Sequence, residues 1–400
     1  MRKVLAASAA FLGLALLAVV VAAATAQARS EKSAQVTTVT LSGWSSSPEE
    51  NALLTEVVAR FNRTHPSIKV DYTIIQGDYP TAMTARFAAR NPPDVFYVDS
   101  SKFPEWRKQG VLQPLNSYIT KSKYNTAAFI PGLLNAFKAG KAMYGFPKDW
   151  SPLAMEINLS MLTTAGVKPP TTWAQLRTVA QRLASSNAVP NGKPICLPAD
   201  WARMLPFIYQ NKGSLANVQS PAVVAAVNYY VGLIKSGLAS TPDKLGAGWC
   251  GEALGKQTAA IIFEGNWALP YMKSTFSQVR YGAFPMVKGK TGGNLGFTVS
   301  YSMAKDAKNK QAAWTLLSWL TGKAGQKLWI SKGLALPSRT DLKPVGGRKA
   351  FIAAAPFVHG WGFPNFSDTY SLMNNDLQAV IAGSKTVAQM LANVAASLKK

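Results

Sequence analysis

Residues 141–158 read KAMYGFPKDWSPLAMEIN. Gly145, Pro147 and Pro152 punctuate this otherwise largely apolar run. Proline fixes φ and disfavours helix in the residue before it, so Phe146-Pro147 and Ser151-Pro152 should hold the chain extended. The stretch lies where one globular pattern ends and a second begins. It therefore reads as a hinge crossover between two lobes, the alternative being an ordinary core strand.

Toward the N-terminus, Val36–Ser42 is a β-rich run that ends at Gly43-Trp44. Ser47-Pro48-Glu49-Glu50 then supplies an N-cap, a proline at the first helical position and the glutamate of a capping box. Leu53, Leu54, Val57, Val58 and Phe61 recur at three- and four-residue steps, which predicts one apolar helical face. A buried strand follows at Ile68–Ile75, and strand, helix and strand together favour a parallel sheet with a right-handed crossover. Asp94–Val98 is a third short strand. Ligands of open α/β sheets gather at the carboxyl ends of strands. The loops after Leu41, Ile75 and Val98 therefore offer Trp44, Asp78, Tyr79 and Asp99 as candidate site residues.

Beyond the crossover, Thr172-Trp173-Ala174-Gln175 repeats the capping-box logic and starts a helix with Trp173 on its apolar face. Ser220-Pro221 starts another, which runs to Lys235-Ser236 and stops at Gly237. Between them Pro198-Ala199-Asp200-Trp201 reads as a loop presenting a tryptophan. Thr258–Phe263 is a buried strand with Glu264-Gly265-Asn266-Trp267 at its carboxyl end. Gly289–Gly296 reads as a loop leading into a strand at Phe297–Met303, and a helix runs from about Asn309 to Leu320.

Four hundred residues exceed the usual size of a single core, so two lobes are expected on length alone. Arg2 and Lys3 precede an apolar run from Val4 to Ala24 and then Ala26-Gln27-Ala28, the pattern of a secretory signal over residues 1–28. The run is also long enough to serve as a retained anchor. An exported chain meets an oxidising compartment, so a disulfide between the only two cysteines, Cys196 and Cys250, is favoured over two buried thiols. The net charge of +24 spreads as +7 over residues 1–150, +6 over 151–285 and +11 over 286–400. No run of five consecutive basic residues occurs, which argues for a diffuse positive surface and against nucleic acid. Lys305, Lys308 and Lys310 form the densest patch before the final Lys399-Lys400.

Catalytic signatures are missing. Gly289-Lys290-Thr291 imitates the end of a phosphate-binding loop, but the first glycine of that motif would fall at Phe284. Neither HExxH nor GxSxG occurs, two cysteines are too few for a metal site alone, and no cofactor is expected. Asp78, Asp99 and Glu264 are the carboxylates a glycosidase would need, yet they fall on different lobes, where their separation would change with hinge angle. That suits binding more than catalysis. Tryptophan is abundant instead, eleven in all. Sugar rings pair apolar faces with polar rims and so call for aromatic platforms with a few oriented polar groups. Trp44, Trp150, Trp201, Trp249, Trp267 and Trp361 are the loop candidates, with Tyr79 and Tyr301 beside them.

Several short pieces occur in the order found in one family: FNRTHPSIKV at 61–70, PDVFYVDSSKFPEWRKQGVLQPL at 93–115, YGFPKDW at 144–150 and PPTTWAQL at 169–176. They continue with AAIIFEGNWA at 259–268, AAWTLLSWLTG at 312–322 and LPSR at 336–339. Together they resemble the extracellular solute-binding proteins, family 1, the maltose-binding-protein-like receptors of ABC importers. Many such relatives carry Tyr-Asn where this chain has Ile157-Asn158.

The resemblance implies an α/β two-lobe periplasmic-binding-protein fold of class II type, each lobe a sheet flanked by helices. Its lobes would comprise 36–147 with 286–331, and 148–285 with 332–400, crossing at about 143–158, 283–290 and 328–338. It implies a monomeric, non-enzymatic carbohydrate receptor that closes about its hinge and hands an oligosaccharide or glycoside to ABC permease subunits. No cysteine follows the signal to carry a lipid, so a free periplasmic location is expected. By the same resemblance Trp201 and Trp267 are second-lobe platforms, Gly265 and Asn266 belong to the Gly-x-Trp element, and Asp99 is a first-lobe contact. Trp44, Asp78, Trp150 and Arg339 carry over less directly. The alternatives are an anionic ligand such as a glycerol phosphodiester, for which Arg203 and Arg339 are the nominees, and a sensor or adhesin uncoupled from transport.

Overall fold

The structure is a computed structural model and describes residues 36–44, 48–333, 335–346, 348–363 and 365–399. The expected signal segment and the Ser47 cap lie outside the described residues. Strands are β1 (Thr37–Trp44), β2 (Ile68–Ile75), β3 (Val95–Asp99), β4 (Lys138–Ala139), β5 (Ala142–Met143) and β6 (Gly145–Asn158). They continue as β7 (Ile195–Cys196), β8 (Ala239–Ser240), β9 (Ile261–Gly265), β10 (Tyr281–Phe284), β11 (Asn294–Met303) and β12 (Val358–His359).

Among the described residues the main sheet runs in the order β2-β1-β3-β11-β6-β9-β7-β8, with β10 on β6 and β12 on β11. At one end β1 pairs in parallel with β2 and β3, and at the other β7 pairs in parallel with β8 and β9. Two long antiparallel strands, β6 and β11, join these ends. The quoted stretch is thus one continuous strand whose first half pairs with β11 and whose second half pairs with β9 and β10. Its prolines cost the ladder little. Pro147 lacks an N–H, but the register against β11 slips beside it, pairing Pro147 with Ser300 and Asp149 with Val299 and leaving Lys148 as the extra residue.

Two hydrophobic cores flank this bridge. One gathers Leu41, Phe61, Val98, Phe146, Val299 and Leu317. The other gathers Met155, Leu176, Trp201, Tyr230, Phe263, Leu295 and Leu377. The change of core along β6 falls between Phe146 and Met155, and along β11 between Leu295 and Val299. The fold is therefore the two-lobe α/β arrangement, with a sheet and flanking helices on each side.

Local signals explain the helices that frame it. Thr172 caps the helix Trp173–Ser185 by accepting from the Gln175 N–H, and Ser220 caps Pro221–Lys235 through the Val223 N–H. Gly237 follows with φ +75°, the left-handed conformation that ends a helix without Cβ strain. Cys196 and Cys250 are disulfide-bonded with their Cα atoms 5.5 Å apart, joining β7 to the start of the helix Cys250–Gly255. No helix among the described residues is long and apolar enough to cross a membrane.

Candidate functional site

A cavity of about 820 Å³ opens where β6 and β11 pass between the cores. From the first core's side it is lined by Trp44, Glu49, Glu50, Asp99 and Val299. The bridge contributes Lys148, Asp149, Trp150, Ser151 and Phe297, and the second side contributes Trp249, Asn266, Trp267, Tyr271, Ser274 and Thr275.

Each wall follows from local sequence. Trp44 ends β1, and its ring is held edge-on by Tyr79 at 5.3 Å and Tyr97 at 5.1 Å. Asp99 ends β3 and accepts from the Ser101 N–H at 2.8 Å. Burial raises its pKa above the usual carboxylate range, while the bonds from Ser101 act in the opposite sense. Asn266 and Trp267 follow β9. The Asn266 N–H donates to Ser151 Oγ at 2.8 Å, which ties this turn to the bridge. Asn266 lines the cavity, and its side-chain amide nitrogen is buried with no hydrogen-bond partner among the described residues.

Trp267 is held from behind. Its indole N–H donates to Glu264 Oε2 at 3.1 Å, and the same oxygen accepts from Arg203 at 2.7 Å. The Arg203 guanidinium also bonds Asp200 at 3.0 Å and lies 5.6 Å from the Trp267 ring and 5.5 Å from the Phe297 ring. Burial opposes the charge on Arg203, but the Glu264 and Asp200 carboxylates outweigh it and raise its pKa. A Cβ at Gly265 would meet the Trp267 ring at 2.2 Å, so glycine is what lets the indole fold back over the strand end. On the same wall, Trp249 and Tyr271 pack with ring centroids 4.9 Å apart.

Sequence reasoning missed Lys148. Its side chain is 3 % exposed, and its ammonium pairs with Asp149 and with Glu50 at 3.5 Å and lies 4.1 Å from the Trp329 ring centroid. Trp329 in turn donates to Asp149 at 2.9 Å. The bulge that re-aims this side chain is set by the pairing with β11, so the stretch alone did not carry the signal. The acidic wall of Glu49 and Glu50 was read only as a helix cap.

The structure brings Trp44, Asp99, Trp150, Asn266 and Trp267 together at the cavity, with Gly265 directly behind. Trp249 lines it as well, and the other candidates lie elsewhere. Trp201 is a correction: it is the first residue of the helix Trp201–Gln210, capped by Asp200, and its ring is wholly buried in the second core. Asp78 caps the helix Tyr79–Ala88 through Thr81 instead of facing the cavity. Tyr79 is buried, donates to the Tyr97 carbonyl at 3.0 Å and supports Trp44 from behind. Tyr301 is buried against Tyr97 with ring centroids 5.3 Å apart. Arg339 is buried, paired with Asp341 at 2.9 Å and stacked on Phe129, so it is unavailable to a ligand. Trp361 packs on Phe366 and Tyr370.

Among the described residues no group of three His, Cys, Asp or Glu side chains could hold a metal ion. The cavity walls carry four carboxylates, Glu49, Glu50, Asp99 and Asp149, against the one ammonium of Lys148.

Residues 44–327 match the model of the bacterial extracellular solute-binding protein family. The multiple sugar-binding protein of Streptococcus mutans is 24% identical over 330 residues, covering 74% of each chain. Among solved structures, an ABC substrate-binding protein of Listeria monocytogenes in complex with cycloalternan superposes with a TM-score of 0.81 at 22% identity, covering 91% of this chain and 98% of that one. UgpB of Mycobacterium tuberculosis, in complex with glycerophosphocholine, gives 0.78 at 17% identity over 90% and 97%.

Proposed function

Because the chain belongs to the bacterial extracellular solute-binding protein family, we propose that it is the receptor of an ABC importer and captures a neutral carbohydrate, an oligosaccharide or glycoside, between its lobes. It acts in the periplasm and is not an enzyme. The observation that carries this reading is the Asn266–Trp267 pair, an amide nitrogen with no partner among the described residues beside a braced indole, both in the wall of an 820 Å³ cavity. Sugar recognition needs that combination: a flat apolar face for the ring's C–H groups and fixed polar atoms for its rim. Asp99 and the other carboxylates would accept from hydroxyls, the Asn266 amide would donate to a ring or glycosidic oxygen, and Trp44, Trp249 and Trp267 would stack.

The wall's charge weighs against the anionic alternative. A phosphodiester would enter among four carboxylates, and the two arginines nominated to receive it are already spent on Glu264, Asp200 and Asp341. The two cores support lobes of 36–147 with roughly 299–335 and of 148–295 with the C-terminal segment, which moves the second crossing into β11. A ligand that touches both lobes only when they close would shift the population toward the closed state.

A thermal-shift screen of the exported protein against mono- and oligosaccharides and glycerophosphocholine tests the reading. A ligand that binds only the native state stabilises it by RT ln(1 + [L]/Kd). A rise in Tm with one or more neutral sugars supports the assignment; a rise with the phosphodiester alone contradicts it.

A further inference from the structure

A cavity with acidic walls leaves the net charge of +24 unexplained. Part of that charge collects at the end of the first sheet remote from the cavity. β1 leads from Thr37 to the cavity residue Trp44, β3 from Val95 to Asp99, and β11 returns from Val299 to Met303. The length of β1 sets this pole roughly 23 Å from the cavity, at about 3.3 Å per strand residue.

Backbone bonds gather the segments of the pole. The Lys308 N–H donates to Asp94 at 2.8 Å, the Lys305 N–H to the Val111 carbonyl at 2.9 Å, and the Thr37 N–H to the Ser67 carbonyl at 2.9 Å. On these segments stand Lys69, Arg90, Lys108, Lys305, Lys308 and Lys310, all exposed except the half-buried Lys310. None of the six forms an ion pair among the described residues. The carboxylates on these segments are the exposed Asp306, Asp71 two residues beyond Lys69, and Asp94, which accepts from the Lys308 and Thr40 N–H groups.

The chain also enters the fold here. β1 begins at Thr37, so the preceding residues, which include the apolar run Val4–Ala24, join the protein at the basic pole. A run of that length is what a bilayer takes up during export.

We propose that the basic pole docks on anionic phospholipid headgroups at the membrane surface. Docked this way, the cavity at the far end of the same strands faces the solution from which solute is captured. Each lysine or arginine close to an anionic leaflet strengthens binding by about fivefold, and salt screens the attraction over a Debye length. The contact is electrostatic and reversible, so the receptor can turn to present its ligand to a permease.

Co-sedimentation of the exported protein with vesicles tests this, using phosphatidylcholine alone and phosphatidylcholine mixed with phosphatidylglycerol, at low and high salt. The protein should pellet with the mixed vesicles at low salt and stay in solution with the other combinations. The triple variant Lys305→Glu, Lys308→Glu, Lys310→Glu should bind at least about a hundredfold more weakly. A control triple on the other lobe, Lys168→Glu, Lys235→Glu, Lys244→Glu, changes net charge equally and should retain most of the binding. Far-UV circular dichroism checks that both variants fold. Equal loss in the two triples, equal binding to phosphatidylcholine alone, or no pelleting at low salt would overturn the proposal. None of these outcomes depends on the sugar screen, so the two readings fail separately.

Discussion

The indole N–H of Trp267 donates to Oε2 of Glu264, three residues earlier, at 3.1 Å. Glu264 is itself 2 % exposed and is held in place by Arg203. A ring fixed in this way is preorganised: it loses little rotamer freedom when a ligand stacks on it, which favours affinity. Neither Glu264 nor Arg203 is among the cavity-lining residues, so the platform is set by side chains that need not touch the ligand.

Trp267→Ala should weaken binding of the sugar found by the screen by at least about thirtyfold. That is the consequence of losing roughly 2 kcal/mol from an aromatic anchor at about 1.4 kcal/mol per tenfold. The apo melting temperature should move little. Calorimetry and apo melting curves check both halves. A tryptophan that served the core would instead cost roughly 3 to 5 kcal/mol of stability. A large drop in apo melting temperature with near-normal binding would assign Trp267 to packing.

Arg203→Lys tests the brace. Lysine keeps the charge but presents a point ammonium that cannot grip Asp200 and Glu264 together as the planar fork does. The near-UV circular dichroism of Trp267, isolated by difference from Trp267→Phe, should collapse in Arg203→Lys while the far-UV spectrum is unchanged. If the Trp267 signal survives in the lysine variant, the guanidinium is not what orients the ring.

Glu156 yields a pH prediction. It has no exposed surface, and neither carboxylate oxygen has a hydrogen-bond partner among the described residues. Burial, and next the charge of Glu264, push its pKa well above the usual value, against the opposing influence of Arg348. A folded-state pKa above the unfolded one means that the native state holds a proton the unfolded chain has released. Stability from this group is complete below the unfolded pKa and is lost as pH rises through the folded one. Glu156→Gln cannot ionise, so its melting temperature relative to wild type should climb as pH rises above about 4.3, the ordinary glutamate value. Melting curves across that range check it; a difference independent of pH would contradict the buried-acid reading.

Much of this architecture was legible because its signals are local. The helix starts at Thr172 and Ser220 depend on a hydroxyl and its neighbours within one turn. The stretch 141–158 announced extended backbone through its prolines. What it did not announce was the bulge at Lys148, which exists only relative to β11, some 150 residues on. Trp201 defeats local signals for a related reason. Pro198-Ala199 looks like a loop, but Asp200 is an N-cap, and the interior Pro206 hid the helix that follows. Whether an indole faces solvent or core then depends on helix Phe366–Ala382, whose Asn374 side chain accepts from the backbone N–H of Trp201 at 3.0 Å. The Glu264–Arg203 pair likewise joins groups 61 positions apart, beyond the reach of any spacing rule.

The central claim is that a neutral sugar is held between two lobes that close on it about the β6–β11 bridge. Small-angle scattering of the exported protein, with and without a saturating sugar taken from the screen, measures this directly. The account predicts a smaller radius of gyration in the bound state at constant molecular mass. An unchanged radius at saturation, with binding verified by calorimetry, would contradict it.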